Sequence, residues 1–215
     1  MTESSKTKRG YSSTRRRLQA NQTRRLILET ARKLFYERGY NNATIEAIAQ
    51  AAGVASETVY AIFGSKPAIL HTLVDTTLVG DEEPIPLLER PFIKEAQLET
   101  DQRSLIHKFS KNIYEIMSRM SPVFMLLRTT AKTDPEIAAL LDKLLHERLV
   151  GMAYFVDQLR RIGPLREPVL PDQSNISAWA ISSAELFDLL TRDQGWSEDQ
   201  YVTWLSDSLE RLLLP

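Results

Sequence analysis

The sequence predicts an all-α protein. Apolar residues recur at helical spacing through nearly the whole chain, and no stretch alternates apolar and polar residues with the period of a strand. A further observation divides the chain by charge. Met1 to Lys66 carries 12 Lys/Arg against 5 Asp/Glu, a net of +7, and the remainder carries −8, for an overall −1. Such a split suggests a basic end that meets a polyanion and an acidic body that does not.

The elements follow in order. Residues 1 to about 13, rich in Ser, Thr and Lys, are expected to be disordered in isolation. Eight basic residues precede Ile27: Lys6, Lys8, Arg9, Arg15, Arg16, Arg17, Arg24 and Arg25. Ile27, Ala31, Leu34 and Phe35 then form one stripe of a first helix that stops at Gly39. Thr44 caps a short second helix with Ile45, Ile48 and Ala49 buried and Gly53 as its stop. "ASETVYAIF" gives barely two turns of a third, closed by Gly64. Ser65 caps a fourth, with Pro67 in its first turn, where a missing N–H costs little, and Ile69, Leu70, Leu73, Val74, Thr77 and Leu78 facing inward.

"GDEEPIPLLERP" reads as a linker or irregular corner. Helices are predicted beyond it at about 97 to 119 and 122 to 132, then from Asp134-Pro135 to Ile162. This last carries Ile137, Leu140, Leu141, Leu144, Leu145, Leu149, Met152, Phe155, Val156 and Leu159 at helical spacing. After the loop "GPLREPVLPDQ" two more are expected, about 174 to 193 and 198 to 213, the second opened by the capping box Ser197-x-x-Gln200.

Two short helices joined by a glycine turn, with a longer helix before them, form the helix-turn-helix arrangement, whose second helix lies in a DNA major groove. Its place in the positive part of the chain supports that reading over a plain helical hairpin. "TIEAIAQAAGVASETVYAIFGSKPAIL", Thr44 to Leu70, resembles the signature of the tetracycline-repressor (TetR) family of bacterial transcription regulators, and "ARKLFYERGY" upstream fits the same family. The ending "LLTRDQGWSEDQYVTWLSDSLERLLL" is similar to a subset of these regulators. The resemblance implies about nine helices, in a three-helix DNA-binding domain followed by a helical ligand-binding and dimerisation domain. The expected division is a basic arm over 1–17, the helix-turn-helix domain over 18–66 and the second domain over 67–215.

The chemistry of the first domain follows residue by residue. Thr58 and Tyr60 can donate to phosphate oxygens without reading a base, and Lys66 brings charge to a helix start that suits an anion. The matching family positions are phosphate contacts. Thr44, which opens the second helix, joins this set. Base readout falls to Ala55, Ser56, Glu57 and Ala61. Glu57 suits a cytosine N4 donor, Ala55 or Ala61 a thymine methyl; a carboxylate favoured by the helix dipole explains Glu57 equally well. Val54, Val59, Ile62 and Phe63 are assigned to the core. Many members have Ser in place of Ala55, so Ser56 is the candidate cap instead, and Ile62 stands where His or Tyr is common. Arg15, Arg16 and Arg17 are placed along phosphates or in an adjacent minor groove.

For the second domain the resemblance implies a homodimer bound to double-stranded operator DNA and a small-molecule effector. Dimer contacts are assigned to the last two helices: Trp179, Ala180, Ser183, Phe187, Leu190, Tyr201, Trp204, Leu205, Leu209 and Leu212, some of which must also serve the internal core. Pocket candidates are His107, Phe109, Tyr114, Met117, Met120, Phe124, Met125, Arg128 and Tyr154.

Several classes are set aside. The chain has no cysteine, which excludes disulfides, thiolate metal sites and cysteine nucleophiles. Its three histidines, His71, His107 and His146, lack metal-ligand spacing, and no glycine-rich phosphate loop or nucleophile elbow appears. No cofactor is expected, and the chain is not read as an enzyme. The N-terminus lacks an apolar signal region and no run reaches the ~20 residues a bilayer needs, so the cytoplasm is the expected address. The regulator reading is a repressor; its alternatives are an activator and a helical small-molecule-binding protein or enzyme with a disabled helix-turn-helix.

Overall fold

Helical propensity carries the first helix further than its buried stripe requires. In the computed structural model, which describes residues 5–79, 97–167 and 172–215, with side chains from Leu18 onward, α1 runs Ser5–Arg38. The disordered arm expected over 1–17 is therefore helical backbone from Ser5 on. Once Ile27, Ala31, Leu34 and Phe35 are buried, the Arg, Leu, Gln and Ala residues ahead of them, all good helix formers, extend the helix at little cost.

Gly39 ends α1 with φ +75°, and α2 (Ile45–Ala52), α3 (Ser56–Phe63) and α4 (Lys66–Val79) follow. Thr44 Oγ1 accepts the Ala47 N–H at 3.1 Å and opens α2 as expected. At its other end Gly53 adopts φ +66°; its N–H reaches the Gln50 carbonyl at 3.2 Å and the Val54 N–H reaches Ala49 at 3.0 Å. This left-handed closure needs a residue without Cβ and sets the angle at which α3 leaves. Ser65 Oγ accepts the Ala68 N–H at 3.2 Å and caps α4. The apolar residues these helices turn inward include Ile48, Ala49, Val59, Phe63, Ile69 and Leu70.

The chain divides into two compact units, Met1–Leu73 and Val74–Pro215. The division falls about two turns into α4, rather than after Lys66.

In the second unit α5 (Gln102–Thr130), α6 (Pro135–Ile162), α7 (Gln173–Ile181), α8 (Ala184–Asp188) and α9 (Glu198–Leu213) are described, with a π-helical turn Leu189–Asp193 continuing α8. α5 is the centre: α6, α8 and α9 all pack on it, and α7 packs on α6 and α9. Two expectations are corrected here. The break predicted between residues 119 and 122 does not occur. Pro122 sits inside α5, where the buried residues Met120, Ser121, Val123, Phe124 and Leu127 hold the helix through the lost N–H. The single helix expected over 174 to 193 is instead broken at Ser182-Ser183, where Ser183 starts a new N-cap by accepting the Leu186 N–H. Asp134 caps α6 and the Ser197–Gln200 capping box opens α9, both as expected. The linker over 80–91 and residues 168–171 of the loop after Ile162 lie outside the described residues.

Candidate functional site

α3 presents two different faces. Val59 and Phe63 are buried, while Glu57, Tyr60 and Ala61, spaced so as to share one side, are exposed, Tyr60 at 48%. Ser56 and Thr58 are half-buried along the flanks, and Ala55 is exposed at the entrance. The glycines Gly53 and Gly64 bracket the helix.

The start of α3 corrects one expectation. Ser56 does not replace the missing cap: it is the first helical residue, and Ala55 keeps the N-cap position, in extended backbone, with no side-chain hydrogen bond. Free backbone N–H groups at this end therefore have no protein side chain to satisfy them. Arg24 from α1 lies over the Phe63 ring, 4.8 Å from its centroid, and braces the other end of α3.

Lys66 is half-buried at the start of α4. Its Nζ donates to the Tyr40 carbonyl at 3.0 Å and stands 4.2 Å from the centroid of the Tyr40 ring. The ammonium thus ties the loop after α1 to the start of α4. Thr44 is exposed, but its oxygen is engaged as the cap of α2. Of Arg15, Arg16 and Arg17 the structure gives the helical backbone alone.

The second unit holds a cavity of about 430 Å³ between α5 and α6, bordered also by Leu78. Of the pocket candidates, Phe109, Met117, Met120, Phe124 and Tyr154 border it. Phe109 stacks on Phe155 with ring centroids 3.7 Å apart, forming one aromatic wall. Four candidates are placed elsewhere. His107 is exposed on the outer side of α5; Tyr114 packs against Phe187 and Tyr201; Met125 does not border the cavity; Arg128 forms an ion pair with Glu185.

Among the bordering residues that the pattern did not single out are Arg148, Gly151 and Gln158. The signal for Arg148 was available, because Leu144, Arg148, Met152, Phe155 and Leu159 follow one helical stripe, and a cation inside an apolar stripe is anomalous. Arg148 Nη2 donates to the Trp179 carbonyl at 2.5 Å and to Ser182 Oγ at 2.9 Å. Burial pushes this guanidinium down to about 10, against the favourable influence of Glu185, so it remains charged at neutral pH.

The predicted dimer contacts separate into two sets. Phe187, Tyr201, Leu205 and Leu209 are buried within this chain, Tyr201 completely. They lie on helices α8 and α9, both of which pack on α5. Ser183 is occupied as the α8 cap. Trp179, Leu190 and Trp204 are half-buried, Ala180 is exposed, and Leu212 is 43% exposed; these keep a surface. Two further exposed apolar residues, Ile176 and Leu189, lie on the same stretch of chain.

Among the described residues no three His, Cys, Asp or Glu side chains converge as metal ligands, and no helix is long and apolar enough to cross a membrane.

Comparison with known proteins adds identity to this geometry. Residues 27–73 match the family model of bacterial regulatory proteins of the tetR family. The HTH-type transcriptional repressor BepR of Brucella suis biovar 1 is 27% identical over 146 residues, 68% of each chain. The HTH-type transcriptional regulator TtgR of Pseudomonas putida is 36% identical over 58 residues, which span 27% of this chain and 28% of TtgR. A solved structure from Saccharomonospora viridis, described as a transcriptional regulator in complex with choline, shares the fold with a TM-score of 0.67 at 22% identity, covering 91% of this chain and 99% of the other.

Proposed function

Because this chain belongs to the TetR family of bacterial transcriptional regulators, we propose that it is a repressor that binds a pseudo-palindromic operator as a homodimer and releases it when a small molecule enters the second unit. The observation that carries the reading is the split character of α3. Its inner side is fixed by Val59 and Phe63, and its outer side offers Glu57, Tyr60 and Ala61 to a groove.

The roles divide by chemistry. Thr58 and Tyr60 donate to phosphates and set the register of the helix; Ser56, Glu57 and the methyls of Ala55 and Ala61 face base edges. The uncapped first turn of α3 adds backbone N–H donors for a phosphate. Thr44 at the start of α2 offers its hydroxyl proton, its acceptor side being used by Ala47. Lys66 acts mainly by positioning the unit through Tyr40, and its charge adds to the attraction. Arg15, Arg16 and Arg17, on the N-terminal turns of α1, supply phosphate neutralisation.

Two half-sites multiply discrimination, which supports a dimer whose recognition helices stand about 34–36 Å apart. The contact surface is assigned to Trp179, Ala180, Leu190, Trp204 and Leu212. An effector acts by preferring the conformer in which that spacing is lost. A shift from mostly bound to mostly released needs about 5 kcal/mol of preference. The 430 Å³ cavity has the size of a small-molecule site.

The test is a gel shift with the DNA flanking the protein's own gene, in excess competitor DNA at moderate salt, repeated with candidate metabolites. The expected result is a sequence-preferring complex that some of the metabolites dissolve. Equal competition by unrelated DNA would contradict operator recognition.

A further inference from the structure

Arg148 borders an otherwise mainly apolar cavity without an acid of its own. Every hydrogen bond its guanidinium makes comes from Nη2, to the Trp179 carbonyl and Ser182 Oγ. Nε is buried with no acceptor, and no carboxylate stands within 4 Å of the guanidinium among the described residues. The nearest influential acid, Glu185, is engaged by Arg128.

Other donors in this unit are in the same condition. Gln158, 6% exposed and also on the cavity wall, has its amide Nε2 buried without an acceptor, and the Trp179 indole N–H is in the same condition. At Arg148 itself, Nε and the indole N–H of Trp179, whose ring centroid lies 5.3 Å from the guanidinium carbon, are buried donors without an acceptor, a costly arrangement unless an acceptor arrives. Charges of both signs border the cavity elsewhere, Lys108, Lys111, Glu115 and Glu147, all on exposed positions, with Lys108 2.6 Å from Glu99 and Glu147 3.7 Å from Lys143. The charge drawn into the protein is Arg148.

We propose that this cavity takes an anionic amphiphile, an apolar body held between the Phe109–Phe155 wall and the Met117–Met120 side, with one carboxylate-type head group received by Arg148. The inference rests on reading the cavity as the effector site. A guanidinium presents planar paired donors that match a carboxylate, and the match strengthens where water is scarce. The head group would also compete for Arg148 with the Trp179 carbonyl and Ser182, at the break between α7 and α8. Binding is thereby connected to the helices that carry the dimer surface.

Calorimetric titration of the full-length protein with decanoate, decanol and decyltrimethylammonium, each below its micelle concentration, separates the alternatives. Decanoate is expected to bind about tenfold or more tightly than either analogue. Arg148→Gln should remove that advantage and leave decanol binding within a few-fold, while Arg148→Lys should restore part of it. If Arg148→Gln fails to fold, the ranking of head groups on the wild type and on Arg148→Lys decides. Equal binding of all three, tighter binding of the ammonium, or decanoate binding unchanged in Arg148→Gln would overturn the anion assignment while leaving the cavity as an effector site. Gly151→Phe, which fills the cavity from α6, should abolish binding of whichever analogue binds. No binding by any analogue, or binding indifferent to Gly151→Phe, would overturn the effector-site reading and the anion assignment with it.

Discussion

At the scale of single residues, Lys66 and the pair Thr58 and Tyr60 make separable contributions. Lys66→Met removes a charge-assisted hydrogen bond to the Tyr40 carbonyl and the contact with its ring. Loss of about 1–3 kcal/mol of stability is expected in urea denaturation, beyond any loss of DNA affinity. Thr58→Ala and Tyr60→Phe, by contrast, should weaken operator binding on every sequence and leave both stability and the salt slope nearly unchanged, since they remove neutral donors. Glu99 supplies a pH test. Lys108, then Ser104 and the backbone N–H of Thr100, hold its carboxyl down to about 2, from an ordinary 4.5. A depressed carboxylate stabilises above its unfolded pKa, and the contribution disappears as pH falls from about 4.5 to about 2. Glu99→Gln should flatten the acid limb of the stability curve in that window, checked by urea midpoints across pH. Val59 and Phe63 were legible as core because their neighbours keep a helical period. The partner of Lys66 was not, because Tyr40 lies 26 residues away and a Lys at a helix start reads equally as an anion site. Arg148 was missed for a related reason: a cation in a long helix reads as surface unless its place in the stripe is counted.

Among elements, the caps were the most readable features and the interruptions the least. Thr44, Ser65, Asp134 and Ser197 act through local hydrogen bonds, which local sequence determines. Whether a proline breaks a helix is decided by tertiary burial, and the wall around Pro122 kept α5 whole. The Ser182-Ser183 break went the other way: side-chain bonds to Arg148 and to the Leu186 N–H favour a corner that apolar spacing alone does not reveal. Two glycines make the contrast measurable. Gly53→Ala forces a Cβ into a φ of +66° and should cost about 1–2 kcal/mol. Gly151→Ala, helical and with no described atom within 4 Å of the added Cβ, should gain about 0.5–1 kcal/mol. Chemical denaturation of both variants compares the two signs. α1 is tested by removing residues 1–17, its arginine-rich start. DNA affinity should fall, and the dependence of log K on log salt should flatten by about 0.9 for each phosphate that is no longer neutralised.

For the whole molecule, the charge split and the all-α reading were both visible from composition and period, and so was the existence of a second unit. Its division of labour was not. Phe187, Tyr201, Leu205 and Leu209 have the same apolar character as interface residues, and only the packing of α8 and α9 on α5 shows that they are spent internally. The surface that remains predicts that Trp204→Ala combined with Leu212→Glu yields a folded monomer by sedimentation with weakened operator binding, whereas Leu209→Glu unfolds the protein. The central claim, that two copies of α3 read one operator, is tested most directly by a footprint on the DNA flanking the protein's own gene. Two protected patches are expected on a pseudo-palindrome, their centres about one helical turn or a small multiple apart, both lost in the Thr58→Ala/Tyr60→Phe variant. A single unpaired patch, uniform protection, or a footprint that survives in that variant would contradict it.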